Sequence, residues 1–595
     1  MTRDLPLLIP ACGIWAGALV QSWFLGPHSL FAFWVVPALF LLALLTFKRS
    51  FGLFVAACFL GSALLALHHG ALQNDFFQAR EGKVVTARVV LSSDVRKIQG
   101  YIRGDFRQRD SYLVEAKTRS IDDVKISVPV LIRGNRELLE HIPGDELEFF
   151  TKVATFSGYS TFAAILTQTG DLKTIRTAPF IWKVTSAVRR DISFSLRTLP
   201  PDARALIPGL IVGDRSQQDD DLTQAMRRSG LTHLTAVSGA NFAIVAGLLL
   251  MVGRRLRIRG KVLWWSITIT LMLFIFLVRP SSSVLRAAVM TGVLLFARAK
   301  GVKSSPIPAL ATAISLLLLI NPFYVRDPGF GLSVFATAGL LFLAPRLQST
   351  FTAKKIPQII AEALAIPMSA TICCLPLIVL LSGELSLISI VANLLVAPVI
   401  AIITGMGLVL IILAPLSSHL ATVLGWIITP FALWITFVAR KLSHLPFAAL
   451  LWPKSWFGSL LIAALLLTIY IFFKKRNRID VRLQIGAFTF VILLSAFEVL
   501  RVLSPIAHIW IPRDWKIFQC DVGQGDGLIL NAGRGEGVVI DVGSEPSVID
   551  RCLKLTGVTT IKLLVLTHFH ADHVAGLSGA LRGRQIKQVW VSGVH

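Results

Sequence analysis

Val399-Ile-Ala-Ile-Ile-Thr-Gly-Met-Gly-Leu-Val-Leu-Ile-Ile-Leu413 runs without one charged residue, and Val262–Val278 is a second stretch of the same kind. Blocks of about 15 to 28 such residues recur along the chain, and a bilayer core takes about 20 apolar residues per helix. Apolar residues make up 54% of the 595 positions and charged residues only 16%, with a mean hydropathy of +0.69. Soluble domains carry about 25% charged residues, so an ordinary soluble globule is excluded. The first block, Leu5–Leu25, is interrupted by Pro10 and followed by Phe31–Phe47 and Leu53–Leu67. A cleaved leader is one short stretch with a small-residue exit site, so residues 1–67 are read as a retained three-span anchor.

The formal charge is +25, from 59 Lys and Arg against 34 Asp and Glu. Basic loops between spans set topology, so much of this excess requires no ligand. Lys48 and Arg49, Arg254 to Lys261, Arg298 to Lys303, Lys354 and Lys355, and Lys474 to Arg478 fall on loops of one parity. With those loops in the cytoplasm the N-terminus is also inside, and about 13 spans are expected. Arg440 and Lys441 fall on the wrong side. Of six cysteines, Cys12, Cys58, Cys373 and Cys374 lie in apolar blocks as small hydrophobes. Cys520 and Cys552 lie in a polar region, and a bridge between them is not expected from the sequence.

Residues 68–199 turn polar, with alternating runs such as Lys83-Val-Val-Thr-Ala-Arg-Val-Val-Leu91 and Tyr112-Leu-Val-Glu-Ala-Lys117, which predict a small β domain. Arg88, Arg96, Lys97, Arg103, Arg107, Arg109, Lys117 and Arg119 cluster there with Tyr101, Phe106 and Tyr112. Basic and aromatic residues on strands can track a single-strand backbone and stack its bases. Asp94, Asp105, Asp110, Asp122 and Asp123 dilute that field, and a solvated surface explains the cluster equally well. Residues 200–503 form a second membrane block, and 504–595 a polar region of strand-like runs ending in glycine turns.

In the last region Leu563-Leu-Val-Leu566 reads as a buried strand and leads into Thr567-His568-Phe569-His570-Ala571-Asp572-His573. Imidazoles two residues apart on a tight turn can converge on one ion, and Asp572 with His573 can begin a second site. Two metals roughly 3.5–4 Å apart activate a water and clamp a phosphoryl oxygen. A His-rich surface turn is the bland alternative. The motif resembles the HxHxDH signature of the metallo-β-lactamase fold. That resemblance implies His568 and His570 for one metal and Asp572 and His573 for the other, Zn or Mn, with Asp572 also in the catalytic centre. Asp521-Val-Gly-Gln-Gly-Asp526 and Val538-Val-Ile-Asp541-Val-Gly543 look like the lead-in of this domain in competence proteins, with Asp521, Asp526 and Asp541 orienting the histidines or their loop. The fold normally supplies further His and Asp ligands well downstream. The sequence ends at His595, which is not expected to be a ligand, so the domain is read as incomplete.

Polar groups inside spans default to functional hypotheses. They occur in Gly209-Leu-Ile-Val-Gly-Asp214, in Ser229-Gly-Leu-Thr-His233-Leu-Thr-Ala-Val-Ser238-Gly-Ala-Asn241, and in Pro280-Ser-Ser-Ser-Val-Leu-Arg286. Asp327-Pro-Gly-Phe-Gly-Leu-Ser333 and Val391-Ala-Asn393-Leu-Leu-Val-Ala-Pro398 add two more. Breaks and polar groups of this kind are tolerated where backbone lines a wet cavity. Taken singly, Asn241 and Ser238 read as helix–helix glue, Arg286 as a snorkelling side chain, and Asp327 as a helix cap. Their order resembles the competence domain of the ComEC family of DNA-uptake channels. The likeness covers nearly the whole chain, and HLTAVSGAN and DPGFGLS are its most specific patches. Many members carry His where Asn241 stands, so a proton-linked role there is not expected.

The resemblance implies a polytopic α-helical membrane protein with an extracytoplasmic OB-like (oligonucleotide/oligosaccharide-binding) β domain and an incomplete α/β metallo-β-lactamase-like domain, also extracytoplasmic. It implies transport of one DNA strand across the bacterial cytoplasmic membrane through a passage lined by His233, Ser238, Asn241, Arg286, Asp327 and Asn393. The metal domain of complete relatives would degrade the other strand. DNA-receptor and ATPase proteins would be separate chains, since no GxxxxGKS/T phosphate loop is present, and assembly into a homo-oligomer is left open. Two rival readings are a membrane-anchored metallohydrolase of a small ester, lactone or lipid, and a non-functional truncated remnant.

Overall fold

The computed structural model describes residues 6–23, 49–72, 75–98, 102–103, 106–107, 110–156, 159–235, 239–258, 260–300, 305–445, 448–474, 489–495, 514–522 and 525–592. The expected second span at 31–47, and Tyr101, Arg109, Ser238 and His595, lie outside these. The chain divides into two units, Met1–Lys97 with Tyr112–Leu450, and Ile98–Ser111 with Leu451–His595.

The first unit begins with two apolar helices, α1 (Leu8–Trp23) and α2 (Arg49–Leu72). They meet through glycines. A methyl group on Gly17 would overlap the Cys58 carbonyl, one on Gly61 the Ile14 carbonyl, and one on Gly13 would lie 2.5 Å from the Phe54 carbonyl oxygen. Small residues let apolar helices approach where lipid gives no hydrophobic drive between them. The Ser62 hydroxyl donates to Gln21 Oε1 at 2.9 Å inside this seam.

Alternation then builds a barrel. Strand β1 (Val84–Leu91) buries Val85, Ala87, Val89 and Leu91, and β2 (Ser111–Ile121) buries Tyr112, Val114, Ala116 and Thr118. With β3 (Pro129–Gly134), β4 (Glu146–Thr155) and β5 (Ala164–Gln168), the order is β1-β2-β3-β5-β4 and back to β1. All pairings are antiparallel except β3 with β5. Closure removes the exposed edges that open sheets must protect. The helix α3 (Phe180–Ser195) follows. Chain order put it in the β domain, but its Ile192 and Leu196 at its end share a core with the later membrane helices.

The membrane block contains α4 (Pro201–Val212), α5 (Gly239–Arg255), α6 (Gly260–Val278), α7 (Ser282–Ala299), α8 (Pro306–Ile320), α9 (Pro328–Ala338), α10 (Gln358–Ser382), α11 (Ser389–Leu416) and α12 (Ser418–Ser443). Among the described residues six helical stretches are long and apolar enough to cross a membrane, and three shorter apolar helices accompany them. The chain is a multi-pass membrane protein, and the described residues account for six such stretches. Interior prolines at 367, 376, 398, 415 and 430 interrupt α10, α11 and α12, as neighbouring helices in a membrane allow. Arg440, out of place by loop parity, is answered by Asp202 at 2.9 Å.

One carboxylate makes the charged link between the barrel side and this block, beside a shared apolar core. Asp94, just past β1, receives Arg279 Nε at 2.9 Å and Arg189 Nη2 at 3.2 Å. Arg189 also donates to the carbonyls of Val212 and Leu277, near the ends of α4 and α6.

The second unit holds α13 (Trp456–Lys474) and a mixed sheet of β6 (Ile517–Gln519), β7 (Leu528–Gly533), β8 (Glu536–Ile540) and β9 (Thr560–Leu566). The pairs β6–β7 and β7–β8 are antiparallel, whereas β8–β9 is parallel and bridged by α14 (Pro546–Leu555). Val589–Val591 adds a further parallel strand to β9. Cys520 and Cys552 form a disulfide, with Cα atoms 5.9 Å apart, correcting the expectation that they would stay unpaired. Both are buried in the core that holds Ile529, Val539 and Leu564, so packing brings together what 32 residues of sequence separate. On α14, buried Asp550 receives Arg584 Nη1 at 2.9 Å and Lys554 Nζ at 2.9 Å. Burial pushes its carboxyl up, but these hydrogen bonds outweigh that and hold it below the ordinary carboxylate value.

Gly17→Ala is expected to lower the thermal midpoint of the detergent-solubilised protein. Gly70→Ala, with nothing within 4 Å of the added methyl, should be neutral or slightly stabilising, by at most about 1 kcal/mol; equal effects at the two sites would refute the glycine seam. Replacing Cys520 and Cys552 together by Ser should cost the C-terminal unit about 3–4 kcal/mol of stability through the freed loop. Thermal denaturation with and without reductant measures it, and identical curves would mean that the bridge is not made.

Candidate functional site

In the C-terminal unit, β9 ends at Leu566 and the chain turns through Thr567–His570 into the single turn Ala571–Val574. The rings of His568 and His570 lie 4.8 Å apart by centroid, and those of His568 and His573 3.9 Å apart. Asp572 Oδ2 stands 3.8 Å from His573 Nε2. The four residues read from the motif therefore share one small region.

The neighbouring strand ends fix this turn. Asp541, directly after β8, has a left-handed backbone (φ 55°) and is 2% exposed. Its Oδ1 accepts from the Thr567 amide at 2.8 Å, and its Oδ2 from the Thr567 hydroxyl at 2.6 Å. Oδ2 also lies 2.9 Å from His573 Nδ1. The loop from Asp521 to Asp526 reaches the same turn, because Gly525 (φ 95°) has no side chain where a methyl would overlap the Asp572 carbonyl. Asp526 Oδ2 comes within 3.9 Å of His573 Nδ1, while Asp521 is exposed. By distance alone Asp526, Asp541 and His573 form a trio able to hold a cation. Both Asp541 oxygens already accept hydrogen bonds, however, which suits it to holding His573 so that Nε2 faces outward. The donors on the outward side, imidazoles and a carboxylate, are those that Zn or Mn accept.

In the first unit, three of the polar patches meet. Ser282 at the start of α7 donates to Asp327 Oδ1 at 2.6 Å, Ser283 to the Gly329 carbonyl at 2.8 Å, and Arg286 Nε to the Ser333 hydroxyl at 2.8 Å. Asp327 also caps α9, accepting from the Phe330 amide at 2.6 Å. A methyl on Gly239, the first residue of α5, would come within 3.1 Å of Arg286 Nη2. Asn241 is buried and donates to the Leu210 carbonyl at 3.1 Å, satisfying one of the acceptors left over at the end of α4.

Other residues of the set stand apart from this seam. His233 is exposed on the turn Thr232–Thr235, and Asn393 bonds back to Ser389 on its own helix at 2.8 Å. On the barrel, Arg88 is paired with Glu148 at 3.0 Å and Arg96 with Glu115 at 3.9 Å. Lys97 follows Arg96 on the short strand Arg96–Ile98, and Arg103 and Arg107 lie on the two strands of a small hairpin of the second unit, opposite Phe106 and Ile102. The α7–α9 polar ladder, the Asp94 junction and the Asp550–Arg584 pair were not read from the sequence. Runs of Ser before a helix give no sign of which helix they will face.

Comparison with known proteins follows the same division. Residues 210–478 match the family described as competence protein, and residues 521–595 the metallo-beta-lactamase superfamily. The chain is 24% identical over 436 residues to ComE operon protein 3 of Bacillus subtilis (strain 168), covering 69% of this chain and 54% of that one. It is 25% identical over 415 residues to the uncharacterized protein YcaI of Escherichia coli (strain K12), covering 66% of this chain and 52% of that one. The chain thus spans about half the length of the curated relatives it matches. No solved structure matches it. A competence-protein match over residues 210–478 followed by a metallo-beta-lactamase match over 521–595, in a chain aligned over 69% of its length with ComE operon protein 3, is the arrangement that the resemblance to the ComEC family implied.

Proposed function

We propose that this protein passes single-stranded DNA across the bacterial cytoplasmic membrane during natural transformation. The observation that carries this reading is the convergence of three sequence patches, on α5, α7 and α9, around Arg286 within the region that matches competence proteins. Helices serving only as an anchor for an enzyme have no use for a guanidinium in their interior. That argues against a small-ester, lactone or lipid hydrolase on a passive scaffold. His233, Ser238, Asn241, Arg286, Asp327 and Asn393 are the proposed lining.

The closed order β1-β2-β3-β5-β4 supports an OB-like reading of the barrel, a fold that binds oligonucleotides on its sheet face. Arg88, Arg96 and Lys97 are its proposed DNA contacts, and Arg103 and Arg107, on the hairpin of the second unit, are proposed as further ones. Exposed ion pairs such as Arg96–Glu115 hold by only about 0–1 kcal/mol, so a phosphate can displace the carboxylate. The N-terminus is proposed to face the cytoplasm and the C-terminal domain the outside, where a Cys520–Cys552 bridge would persist. A DNA receptor and an ATPase are proposed as separate chains.

For the histidine cluster, His568, His570, Asp572 and His573 are the proposed metal ligands, with Asp572 in the catalytic centre. Asp541 holds the Nδ1 side of His573, and Asp521 and Asp526 position the adjoining loop. A divalent ion bound there supplies Lewis-acid chemistry for phosphodiester hydrolysis, in relatives with the whole domain directed at the strand that is not transported.

Cells lacking the chain, or carrying Asn241→Leu, should fail to accumulate labelled DNA inside the cytoplasmic membrane. Uptake at the parental rate in both would remove the transport reading. Separately, His570→Ala should lower the Zn or Mn content per purified chain, read by elemental analysis. An unchanged metal-to-protein ratio would show that this cluster is not the binding site.

A further inference from the structure

Arg286 is 5% exposed, and its contacts are few. Nε donates to the Ser333 hydroxyl, and Nη1 lies 2.8 Å from the thioether sulfur of Met290. Neither partner carries charge. Among the described residues no carboxylate pairs with it, and no hydrogen-bond partner meets Nη2. The nearby carboxylate, Asp327, is occupied by Ser282 and by the Phe330 amide. Arg189 and Arg279, by contrast, share Asp94, and Arg584 has Asp550.

An arginine keeps its charge at any accessible pH, so its burial without an anion is strongly unfavourable unless an anion arrives. Nη2 is aimed at the first turn of α5, at the place where Gly239 lacks a side chain. Helix N-termini present free backbone N–H groups and the positive end of the dipole, a ready site for phosphate. Enclosed side-chain nitrogens and oxygens without partners, among the described residues, are Arg204 Nε, Gln218 Nε2 and Glu384 Oε2. Nη2 is not one of them, so some open space remains beside it.

We infer that Arg286 Nη2 and the N-terminal turn of α5 at Gly239 form an intramembrane phosphate site, the point at which the backbone of the transported strand is held within the bundle. This rests on the transport reading for the identity of the ligand, but not for the existence of an anion site. Planar guanidinium donors match a phosphodiester better than an ammonium does. Arg286→Lys should therefore keep only part of the function.

The test uses the full chain in detergent and in cells. In detergent, a short oligothymidylate should raise the thermal midpoint of the parent and leave that of Arg286→Met unchanged. Without ligand, Arg286→Met should be as stable as the parent or more so, because it removes a charge that has no partner. A structural arginine predicts the opposite, so a less stable Arg286→Met that still responds to oligothymidylate overturns the proposal. A midpoint raised by phosphatidylglycerol vesicles but not by oligothymidylate assigns the site to a lipid headgroup and also overturns it. In cells, Arg286→Met should lose about tenfold or more of DNA uptake, as expected for a lost charged hydrogen bond, and uptake at the parental rate sinks the site. If the parent itself imports no DNA, the transport reading fails instead, while the oligothymidylate response still decides whether an anion binds at Arg286.

Discussion

A polar group carried into an apolar bundle must be answered inside that bundle, because lipid offers no hydrogen bonds. The membrane block of this protein is organised around that requirement. Ser282, Ser283 and Arg286 lie within five residues at the head of α7, and each is met by a group on α9 or its cap. Asp327 shows how closely the constraint is followed. One oxygen both caps α9 and receives Ser282, so helix start and helix pairing are fixed by the same atom. Asn241 performs the same service for α5 and α4, using a carbonyl that the end of α4 would otherwise leave without a donor.

The constraint also explains how the barrel is joined to the helices. Arg189 on α3 and Arg279 in the link between α6 and α7 converge on Asp94, a residue of the barrel side. Arg279 adopts a left-handed backbone (φ 69°) there, which an arginine does only when its surroundings hold it. Its guanidinium also reaches the Ser186 hydroxyl on α3 at 2.9 Å. The amphipathic helix α3 thereby belongs to the junction as much as to the bundle.

These particulars mark where reading the sequence succeeds and where it stops. Apolar blocks and period-two alternation are local patterns, so the spans and the strands at Lys83–Leu91 and Tyr112–Lys117 were legible. So was the histidine turn, because its spacing is itself the signal. Gly13, Gly17 and Gly61 were visible as letters, but what they make room for is another helix, and nothing local says which. Cys520 and Cys552 looked like two unrelated polar-region cysteines until β6 and α14 were packed on one core. The helix Phe180–Ser195 was assigned by chain order to the domain before it, whereas its buried side decides that it packs on α11 and α12. Arg286 was singled out by its type, but its lack of an anionic partner is a property of the surroundings that only three dimensions supply.

The same distinction settles how the C-terminal carboxylates should be weighed. Proximity alone groups Asp526, Asp541 and His573 as a cation site, and it puts the most buried carboxylate at the centre. Occupancy of lone pairs points elsewhere. Asp541 accepts from Thr567 through both oxygens, and its Oδ2 also lies 2.9 Å from His573 Nδ1, so a cation taking Oδ2 would have to strip a hydrogen bond from the turn that carries the histidines. If His573 is a ligand, a proton on Nδ1 shared with Asp541 leaves Nε2 as the free donor, and that atom faces the Asp572 side. The left-handed conformation of Asp541 is then accounted for as well: it turns the carboxylate under the histidine turn, where Gly525 and Gly576 have already cleared the backbone on either side. On the proposed ligand set, Asp541 acts on a bound ion through the orientation of His573, with His568, His570 and Asp572 on the outward side.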